Sequence, residues 1–509
     1  GHTWTCTGTA ANSAAFEINN PNVTLTVKNG KIVSSQLVGL IPSAMGGTIK
    51  YDNSSLTFDG VEMTTTATSG IETNGNNTND TVTLSNSTLN VPNGFGIYFP
   101  SSGTLTIDNS TITAKTMGVQ VCAGSLSINA GSTITVSGDP VEKIENDGAI
   151  QDGAAISIVN RIGYKGLGDI TVTGGKFTAK SGNAAIKAYD WQNKTESNFT
   201  ASGKVSVSGG TFSSIPDNMD DLCKDGYIPV KNADGYAVQT GTYVASIGTK
   251  KFASLAEAIE AAEGGATITL LADINTPTTS YAIGKSLTID LNGQTITADG
   301  YDSVFAIEGE GNHVVINATN GGKVIAVENN GSAGKYAMAV WLAGKGSTLT
   351  INGGEFSQKI THTDDKQMDM IYTSKGVITI NGGTFRSGTP KWTLNINDGA
   401  YKDGSANIIV NGGTFVGYDP RNAENEGKGT SLVAEGVGVD ADSTNGTFTA
   451  KSGMVAQIIG MNGNSKKAFG TLQAAIDAAV KNNTVKLLAD TKENVTISTR
   501  NVTLDLNGH

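Results

Sequence analysis

The densest group of residues that could carry chemistry lies at 361–369, which reads THTDDKQMD. His362 is followed there by three carboxylates, Asp364, Asp365 and Asp369. Carboxylate oxygens are the ligands that Ca²⁺ takes in proteins, and two carboxylates that face a glycosidic bond can hydrolyse it. The segment therefore predicts a calcium site or a pair of acid catalysts. The alternative is a solvated loop between two strands, where inserted residues are tolerated best.

A second charged group lies at 418–429, which reads YDPRNAENEGKG. It contains Asp419, Arg421, Glu424 and Glu426, which are residue types that a catalytic cluster needs. The segment comes just before a predicted hairpin. This position favours a loop at the end of a domain over an active site.

Aromatic side chains could form a platform for a sugar, because flat rings stack on the faces of pyranose rings. The best cluster is AIKAYDWQNKT (185–195), in which Tyr189 and Trp191 are the predicted ligand contacts. A second cluster contains Tyr336 and Trp341, but the alternation of residues around Trp341 favours a place in the core. For both clusters, packing inside the fold is the alternative to ligand binding.

The composition argues against two classes of partner. The 509 residues include 65 Gly and 10 Pro, 38% are hydrophobic, and the net charge is −11. Nucleic acids and anionic membranes both attract clustered Lys and Arg, so neither is an expected partner. No apolar run is long enough to span a bilayer. The three cysteines are too few and too widely spaced for a disulfide framework or a zinc site.

A short phrase recurs along the chain, with alternating apolar residues, then a polar residue and Gly-Gly, and then an aromatic residue. The clearest copies are ITVTGGKF (170–177), VSVSGGTF (205–212), LTINGGEF (349–356), ITINGGTF (378–385) and IIVNGGTF (408–415), and looser copies include LTVKNGKI (25–32) and LTFDGVEM (56–63). Each copy predicts a strand, a tight turn and the start of another strand. The copies recur roughly every 20–35 residues, a period typical of repeat architectures. This spacing favours a coil of parallel sheets over an antiparallel sandwich, in which successive strands begin about every 8–12 residues.

A longer repeat is superimposed on these phrases. KFASLAEAIEAAEGGATITLLAD (251–273) is matched by AFGTLQAAIDAAVKNNTVKLLAD (468–490). Apolar residues at helical spacing predict an amphipathic helix at about 252–263, which would cap the open end of a sheet stack. Two further segments, 225–241 and 435–450, predict hairpins that close the other end.

These signals divide the chain into three predicted domains: 1–241, a unit without its helical cap; 242–455, a complete unit; and 456–509, the cap and first strands of a truncated unit. The chain ends inside a repeat and starts with a phrase that would continue it. We therefore expect an excerpt of a longer tandem array. Gly1 and His2 of one copy could then contact Gly508 and His509 of another.

The capping phrase, LLAD, LDLNG, the NGGTF copies and the D-G-Y hairpin together resemble the pectate-lyase-like right-handed parallel β-helix repeats of large cell-surface proteins of Gram-positive anaerobes. The resemblance covers nearly the whole chain. It implies an all-β fold of tandem right-handed parallel β-helices, with short α-helical N-terminal caps and β-hairpin C-terminal caps. It does not imply lyase activity, because the same coil hosts enzymes, adhesins and spacers. The Gly-His-Gly and Arg-x-Lys phrases of related polygalacturonases are absent from the sequence.

We therefore expect a non-enzymatic, extracellular segment of a bacterial surface stalk or adhesin. Its loops would contact glycans or proteins of host or neighbouring cells, and no cofactor is expected apart from Ca²⁺ at the acidic segment. Two alternatives stay open: a carbohydrate-active or glycan-binding module, such as a polysaccharide lyase or glycosidase, and a subunit of an end-to-end filament. Size in solution separates the filament from the others, because a self-completing chain should polymerise as its concentration rises.

Overall fold

The fold is built from strands, as the sequence predicts. The computed structural model describes residues 2–8, 13–141, 148–193, 195–277, 280–299, 303–328, 336–360, 368–427, 429–499 and 501–509. Strands account for 48% of the chain and helices for 6%. The predicted all-β class is therefore confirmed.

The chain divides into two compact units, Gly1–Thr242 and Tyr243–His509. The division after Thr242 falls beside the boundary that the sequence predicts after residue 241. Residues 456–509, which the sequence predicts as a separate truncated unit, belong here to the second unit. They nevertheless form a four-stranded sheet and a hydrophobic cluster of their own.

The first unit is made of short strands joined by short connections. Its described strands are β1 (Thr3–Cys6), β2 (Ala14–Glu17), β3 (Thr24–Ser34), β4 (Leu37–Ile41), β5 (Ser55–Thr65), β6 (Ser69–Thr73), β7 (Thr81–Ser85), β8 (Thr88–Val91), β9 (Phe95–Phe99), β10 (Thr104–Asp108), β11 (Thr111–Ala114), β12 (Met117–Val121), β13 (Gly124–Ile128), β14 (Thr133–Val136), β15 (Ile156–Arg161), β16 (Leu167–Val172), β17 (Lys176–Thr178), β18 (Ile186–Gln192), β19 (Thr195–Ser197), β20 (Val205–Val207), β21 (Thr211–Phe212), β22 (Tyr227–Asn232) and β23 (Gly235–Thr240). Helix α1 covers Met219–Leu222, and a 3₁₀ turn covers Met45–Gly47.

The second unit is also built of short strands, and its described elements include three short helices. Its strands are β24 (Ala245–Ile247), β25 (Lys250–Phe252), β26 (Thr267–Leu270), β27 (Ile274–Pro277), β28 (Tyr281–Ile283), β29 (Leu287–Asp290), β30 (Thr295–Asp299), β31 (Ser303–Ile307), β32 (His313–Asn317), β33 (Lys323–Val327), β34 (Met338–Leu342), β35 (Thr348–Ile351), β36 (Glu355–Lys359), β37 (Ile371–Thr373), β38 (Gly376–Ile380), β39 (Thr384–Arg386), β40 (Leu394–Ile396), β41 (Ala406–Val410), β42 (Gly413–Val416), β43 (Gly438–Asp442), β44 (Thr447–Lys451), β45 (Ala456–Ile459), β46 (Ser465–Phe469), β47 (Thr484–Leu487) and β48 (Thr503–Asp505). The helices are α2 (Leu255–Ala261), α3 (Asp398–Lys402) and α4 (Leu472–Ala478), and a 3₁₀ turn covers Pro390–Trp392.

In the first unit, a strand typically pairs with the strand three places later in the chain. β7, β10, β13 and β16 form one parallel row. β8, β11, β14 and β17 form a second parallel row, and β9, β12, β15 and β18 form a third. Three successive strands therefore enter three different rows before the pattern repeats.

Two phrases of the first unit differ from their prediction as strand, turn and strand. Residues 25–32 and 56–63 lie inside the long strands β3 and β5, which pair with each other almost from end to end. Asn29 and Gly60 take up the predicted turn with positive φ angles of 53° and 67°. Because pairing resumes directly after these residues, both halves of each phrase remain in one sheet.

The second unit repeats the three-strand pattern more regularly. Its parallel rows are β26–β29–β32–β35–β38–β41, β27–β30–β33–β36–β39–β42 and β28–β31–β34–β37–β40. Equivalent residues of the repeated phrases are paired, so that Ile378 lies between Leu349 and Ile408. This register follows from the alternation of apolar residues, because a slip by one residue would turn the buried side chains outward.

The aromatic residue that ends each clear phrase lies in the interior. Phe356, Phe385 and Phe415 are fully buried. Their ring centroids are 5.3 Å and 5.0 Å apart, with interplanar angles of 10° and 11°. In the first unit, Phe177 and Phe212 make the equivalent contact at 4.9 Å. The predicted return of the apolar pattern to the core after each turn is thus seen in both units.

Asparagines stack on the outside of the second unit in the same register. Asn352 donates from its side-chain amide to the amide oxygen of Asn317 at 2.8 Å. Asn381 donates to Asn352 at 2.8 Å, and Asn411 donates to Asn381 at 2.9 Å. The two inner side chains, Asn352 and Asn381, each accept from one neighbour and donate to the other, as in the asparagine ladders of stacked parallel strands.

The duplicated segment folds twice in the same way. Helix α2 begins after Ser254, whose hydroxyl accepts a hydrogen bond from the Glu257 amide at 3.2 Å. Helix α4 begins after Thr471, which accepts from the Ala474 amide at the same distance. Each helix is one short amphipathic segment whose apolar side faces the adjacent core.

The observed helix α2 is shorter than the predicted range of 252–263. Phe252 is the last residue of β25 and pairs with Ala245 of β24, so the helix starts later. At the other end, Ala262 has an extended ψ of 132°. The prediction counted Phe252 and Ala262 as helical because they are apolar residues at helical spacing. Both are buried, but an apolar pattern does not by itself distinguish the end of a helix from the strand or turn beside it.

Hairpins occur where the sequence predicts them. β22 and β23 pair antiparallel around a turn between Asn232 and Gly235. β43 and β44 pair antiparallel in the second unit, and β44 also pairs with β42. Each hairpin therefore follows the last strand of a parallel row.

Candidate functional site

The first unit contains a cavity of about 850 Å³, called here the first-unit cavity. It lies at the carboxyl ends of β6, β9, β15 and β18, which run parallel in one sheet. The lining residues are Glu72–Asn76, Tyr98, Pro100, Gly148, Arg161–Tyr164 and Trp191–Asn193. Loops that leave parallel strands at the same edge meet there, which is the usual position of a binding crevice in such sheets.

Arg161 and two tyrosines form one wall of the cavity. Arg161 is 7% exposed, and its Nη1 donates to the carbonyl oxygen of Gly148 at 3.1 Å. The guanidinium lies 5.1 Å from the centroid of the Tyr164 ring, a distance at which cation and ring attract. The hydroxyls of Tyr164 and Tyr98 are 3.3 Å apart and share a hydrogen bond.

Two loops of the cavity are held together by contacts distant in sequence. Lys165 donates from its ammonium to the carbonyl oxygens of Asn76 and Asn77 at 3.1 Å and 2.8 Å. It also donates to the hydroxyl of Thr78 at 3.0 Å. The Tyr164 ring lies on the backbone of Gly75, since a Cβ added to Gly75 would come within 2.4 Å of a ring carbon. These contacts fix the Tyr164 loop against the loop after β6.

Burial shifts the pKa of two groups that line the cavity. It raises the pKa of the Glu72 carboxyl above its ordinary value, and a hydrogen bond with Ser69 opposes this shift. Burial also raises the pKa of Tyr98. The Tyr98 hydroxyl is therefore a neutral donor and acceptor at every ordinary pH.

The structure separates the two predicted aromatic contacts. Trp191 lines the first-unit cavity, although only 4% of it is exposed. Tyr189 belongs to a buried cluster with Cys122 and Trp191, and its hydroxyl donates to Asp152 Oδ2 at 2.9 Å. Ligand contact stays a prediction for both residues, and the cavity gives it a location for Trp191.

The calcium prediction rests mainly on residues outside the described part of the chain, because Asp364 and Asp365 fall in 361–367. Asp369 is described, and its Oδ1 accepts a hydrogen bond from the Asn395 amide at 2.9 Å. Within the described ranges, no three histidine, cysteine or acidic side chains are grouped as metal ligands would be. Calcium at 361–369 stays a prediction.

The fold brings Asp369 close to the second acidic segment, which the sequence did not show. Burial raises the pKa of Glu426, and the charges of Asp398 and Asp369 add to this shift. Glu426 Oε1 accepts a hydrogen bond from the amide of Ile396 at 2.9 Å. Glu426 therefore ties the loop at 418–429 to strand β40.

Arg421 in the same loop has a local partner. Its Nε and Nη2 donate to the two carboxylate oxygens of Asp419 at 2.8 Å and 2.6 Å. This bidentate pair occupies one edge of the guanidinium, and the Arg421 carbon Cζ lies 5.9 Å from the Phe448 ring. The contacts agree with the alternative interpretation of a structured end loop.

The terminal residues predicted to make end-to-end contacts lie in different units. Gly1 is outside the described residues. The carbonyl oxygen of His2 accepts a hydrogen bond from the Lys31 amide at 3.1 Å, and the His509 Nδ1 lies 3.3 Å from Asp490 Oδ1. Gly508 has a positive φ of 88° in the turn before His509. A contact between copies through these residues stays a prediction.

No protein-family model, curated protein or solved structure matches the chain. The resemblance to surface β-helix repeats therefore stays a prediction from the sequence. Among the described residues, no helix has both the length and the apolar character needed to cross a membrane.

Sequence reasoning missed most of the cavity. Glu72, Arg161 and Tyr164 come from loops that are far apart in the chain. A signal was present in RIGYKG at 161–166, which places a cation, an aromatic and glycines in a loop after a strand. That signal gains meaning only when the loop after β6 is known to lie beside it.

Proposed function

We propose that this chain is a non-enzymatic segment of an extracellular bacterial surface stalk or adhesin, built from tandem right-handed parallel β-helices. In this proposal the repeats provide a stiff, protease-resistant spacer. Their loops contact glycans or proteins of host or neighbouring cells. The resemblance of the NGGTF phrases and of the duplicated cap to surface β-helix repeats is the sequence support for this role.

The regular pairing of strands supports the β-helix architecture in the proposal. In both units a strand typically pairs in parallel with the strand three places later in the chain, and equivalent residues of the repeated phrases are paired. Backbone groups of inner strands are thereby bonded on both sides, which leaves few open edges. Such a ladder is stiff because each layer contacts its neighbours over its whole width.

The observation that carries the proposal is the joint between the hairpin β43–β44 and the cap that follows it. Strand β43 is the last strand of its sheet. The Val439 amide donates to Gln457 Oε1 at 2.9 Å, and Gln457 Nε2 donates to the Val439 carbonyl at 2.8 Å. The Gln457 side chain therefore bonds the edge of β43 as a neighbouring strand would.

The same joint is closed by a carboxylate and by tight packing. Asp440 Oδ1 accepts a hydrogen bond from the amide of Ala468 in β46 at 2.6 Å. A Cβ added to Gly438 would lie 2.2 Å from the Cβ of Ala468. Gln457 is 3% exposed and Val439 is fully buried. A joint of this kind lets one repeat end on the next without an open strand edge or a free linker, which is what a stalk needs.

Negative-stain electron microscopy of the purified chain across a concentration series tests the proposal. We expect discrete elongated particles whose width is constant and whose length does not depend on concentration. Compact particles with no long axis would contradict the proposal of a stalk. Fibres that lengthen with concentration would instead identify the chain as an end-to-end filament subunit.

A further inference from the structure

We propose that the first-unit cavity binds a short neutral oligosaccharide. This inference rests on the proposed surface role and gives it a ligand and a place. The site is formed by the loop after β6, the Arg161–Tyr164 loop and the end of β18.

The size of the cavity suits such a ligand. Its volume of about 850 Å³ falls within the range of roughly 300–1,000 Å³ that small-molecule sites occupy. The lining of the cavity is more polar than apolar, with Glu72, Asn74 and Gln192 among its polar residues and Trp191 and Pro100 among its apolar ones. This mixture fits a sugar, which presents rings of hydroxyls around an apolar face.

The polar groups match adjacent hydroxyls. A carboxylate accepts at two oxygens, and a side-chain amide both accepts and donates. Glu72 and Gln192 can therefore each bond a pair of neighbouring hydroxyl groups, in which every oxygen is both donor and acceptor. The Tyr98 and Tyr164 hydroxyls, which already bond each other at 3.3 Å, extend this set by two further groups of the same kind.

The charge of the cavity favours a neutral ligand. Among the lining residues that the structure describes, Glu72 is the acidic side chain and Arg161 is the basic one, so neither type is in excess. Arg161 is also held by the Gly148 carbonyl and the Tyr164 ring. An anionic ligand would have to compete with these contacts and would approach the Glu72 carboxylate.

The site is held in place before a ligand arrives. Lys165 binds the loop after β6 through three hydrogen bonds, and Gly75 receives the Tyr164 ring. Loops that are already ordered lose less conformational entropy on binding. A rigid polar cavity is a specific one, because a ligand without matching hydroxyls leaves its groups unsatisfied.

The experiment uses the full chain and a panel of soluble trisaccharides. Maltotriose, cellotriose and N,N′,N″-triacetylchitotriose represent neutral glycans, and trigalacturonate represents an anionic one. Saturation-transfer-difference NMR detects binding, and titration calorimetry gives the Kd. We expect at least one neutral trisaccharide to bind in the micromolar to millimolar range.

Two cavity variants and two matched controls locate the site. Tyr164→Phe removes a hydroxyl but keeps the ring, and Gln192→Ala removes an exposed amide. Each should raise the Kd about three- to tenfold, the loss expected for one or two hydrogen bonds. Tyr236→Phe and Gln239→Ala change the same residue types in β23 of the same unit and should leave the Kd unchanged.

A third variant tests the positioning of Tyr164 without removing a polar group. Gly75→Ala would push on the Tyr164 ring, so it should weaken binding while circular dichroism stays that of the parent chain. Three results would overturn the inference. They are no binding of any neutral trisaccharide, tighter binding of trigalacturonate than of every neutral one, and binding unaffected by both Tyr164→Phe and Gln192→Ala. Elongated particles that bind no sugar would refute the cavity alone, and compact particles that bind sugar would refute the stalk alone.

Discussion

At the scale of single residues, a buried carboxylate gives the first unit a dependence on pH. Asp80 is fully buried, and its Oδ1 accepts a hydrogen bond from the Ser54 amide at 3.2 Å. Its Oδ2 is buried with no hydrogen-bond partner in the described part of the chain. Burial, the largest cause, raises the pKa of Asp80 from 3.8 to about 6. The folded chain therefore holds a proton that the unfolded chain has lost between these two pH values.

The sign of this linkage predicts a variant that stabilises the protein. A raised carboxyl pKa contributes stability that is complete below pH 3.8 and is lost as pH rises through about 6. Asp80→Asn keeps the carbonyl that Ser54 needs and removes the charge. It should raise the free energy of unfolding at pH 7.5 by at most about 3 kcal/mol, the value of a shift of about two pKa units.

Thermal unfolding at pH 4 and pH 7.5 measures this effect. The difference between the two melting temperatures should shrink in Asp80→Asn. Asp59→Asn is the control, because Asp59 forms an exposed ion pair with Lys28 at 3.4 Å and such pairs contribute little. An unchanged difference in Asp80→Asn would show that another group causes the pH response.

At the scale of elements, the stacked phenylalanines hold the rows of the second unit together. Phe385 contacts the rings of Phe356 and Phe415 at 5.3 Å and 5.0 Å, and it is fully buried. Phe385→Ala should lower the free energy of unfolding by about 3–5 kcal/mol, because it leaves a cavity between two rings. Denaturant unfolding followed by circular dichroism measures the loss.

Phe448→Ala is the matched control for this prediction. Phe448 lies in β44 of the closing hairpin and is only half-buried. The surrounding structure can relax around a partly exposed site, so we expect a clearly smaller loss. Equal losses for the two variants would show that the internal stack is no more important than the hairpin.

At the scale of the whole molecule, the joint at Gln457 decides whether residues 456–509 behave as part of the second unit. Gln457→Ala would leave both the N–H and the C=O of Val439 buried and unpaired, each at a cost of about 1–3 kcal/mol. We expect hydrogen exchange in β43 and β45 to become faster, while exchange in the inner strands β35 and β38 stays slow.

Gln473→Ala provides the control for the joint. Gln473 lies in helix α4 of the same cap, and its half-buried side chain bonds Asp477 at 2.7 Å and the N–H and C=O of Thr496 at 2.7 Å and 3.0 Å, so it bridges backbone groups away from β43. Exchange mass spectrometry should show no change at β43 in this variant. Normal protection of β43 in Gln457→Ala would mean that the side-chain bonds do not hold the joint.

The sequence alone was enough to predict the all-β class and many of the strands and turns. The alternation in Ile378 and Ile380 and the glycines that follow predict a strand and a turn, because both depend on neighbouring residues. Register follows from the same pattern, since equivalent apolar residues must share one core. The helix boundaries were less accurate, because Phe252 and Ala262 are buried at the helix ends without being helical.

The candidate site was mostly beyond the reach of the sequence. Tyr189 and Trp191 were predicted together as ligand contacts because both are aromatic, but only Trp191 lines the cavity, and the Tyr189 hydroxyl donates to Asp152. Likewise, Asp369 and Glu426 were predicted as members of separate segments, and only the fold shows that their charges interact. Which of two aromatics or acids meets a ligand depends on what packs against each of them.

What the sequence determined by itself was the repeated local pattern of strands, turns, caps and hairpins. The tertiary structure decided where Glu72, Arg161 and Tyr164 meet, and it decided that Gln457 covers the edge of β43. The physical reason is that local patterns reflect backbone preferences and burial within a few residues. A cavity or a joint instead depends on parallel strands bringing distant loops to one edge, and no local pattern records that distance.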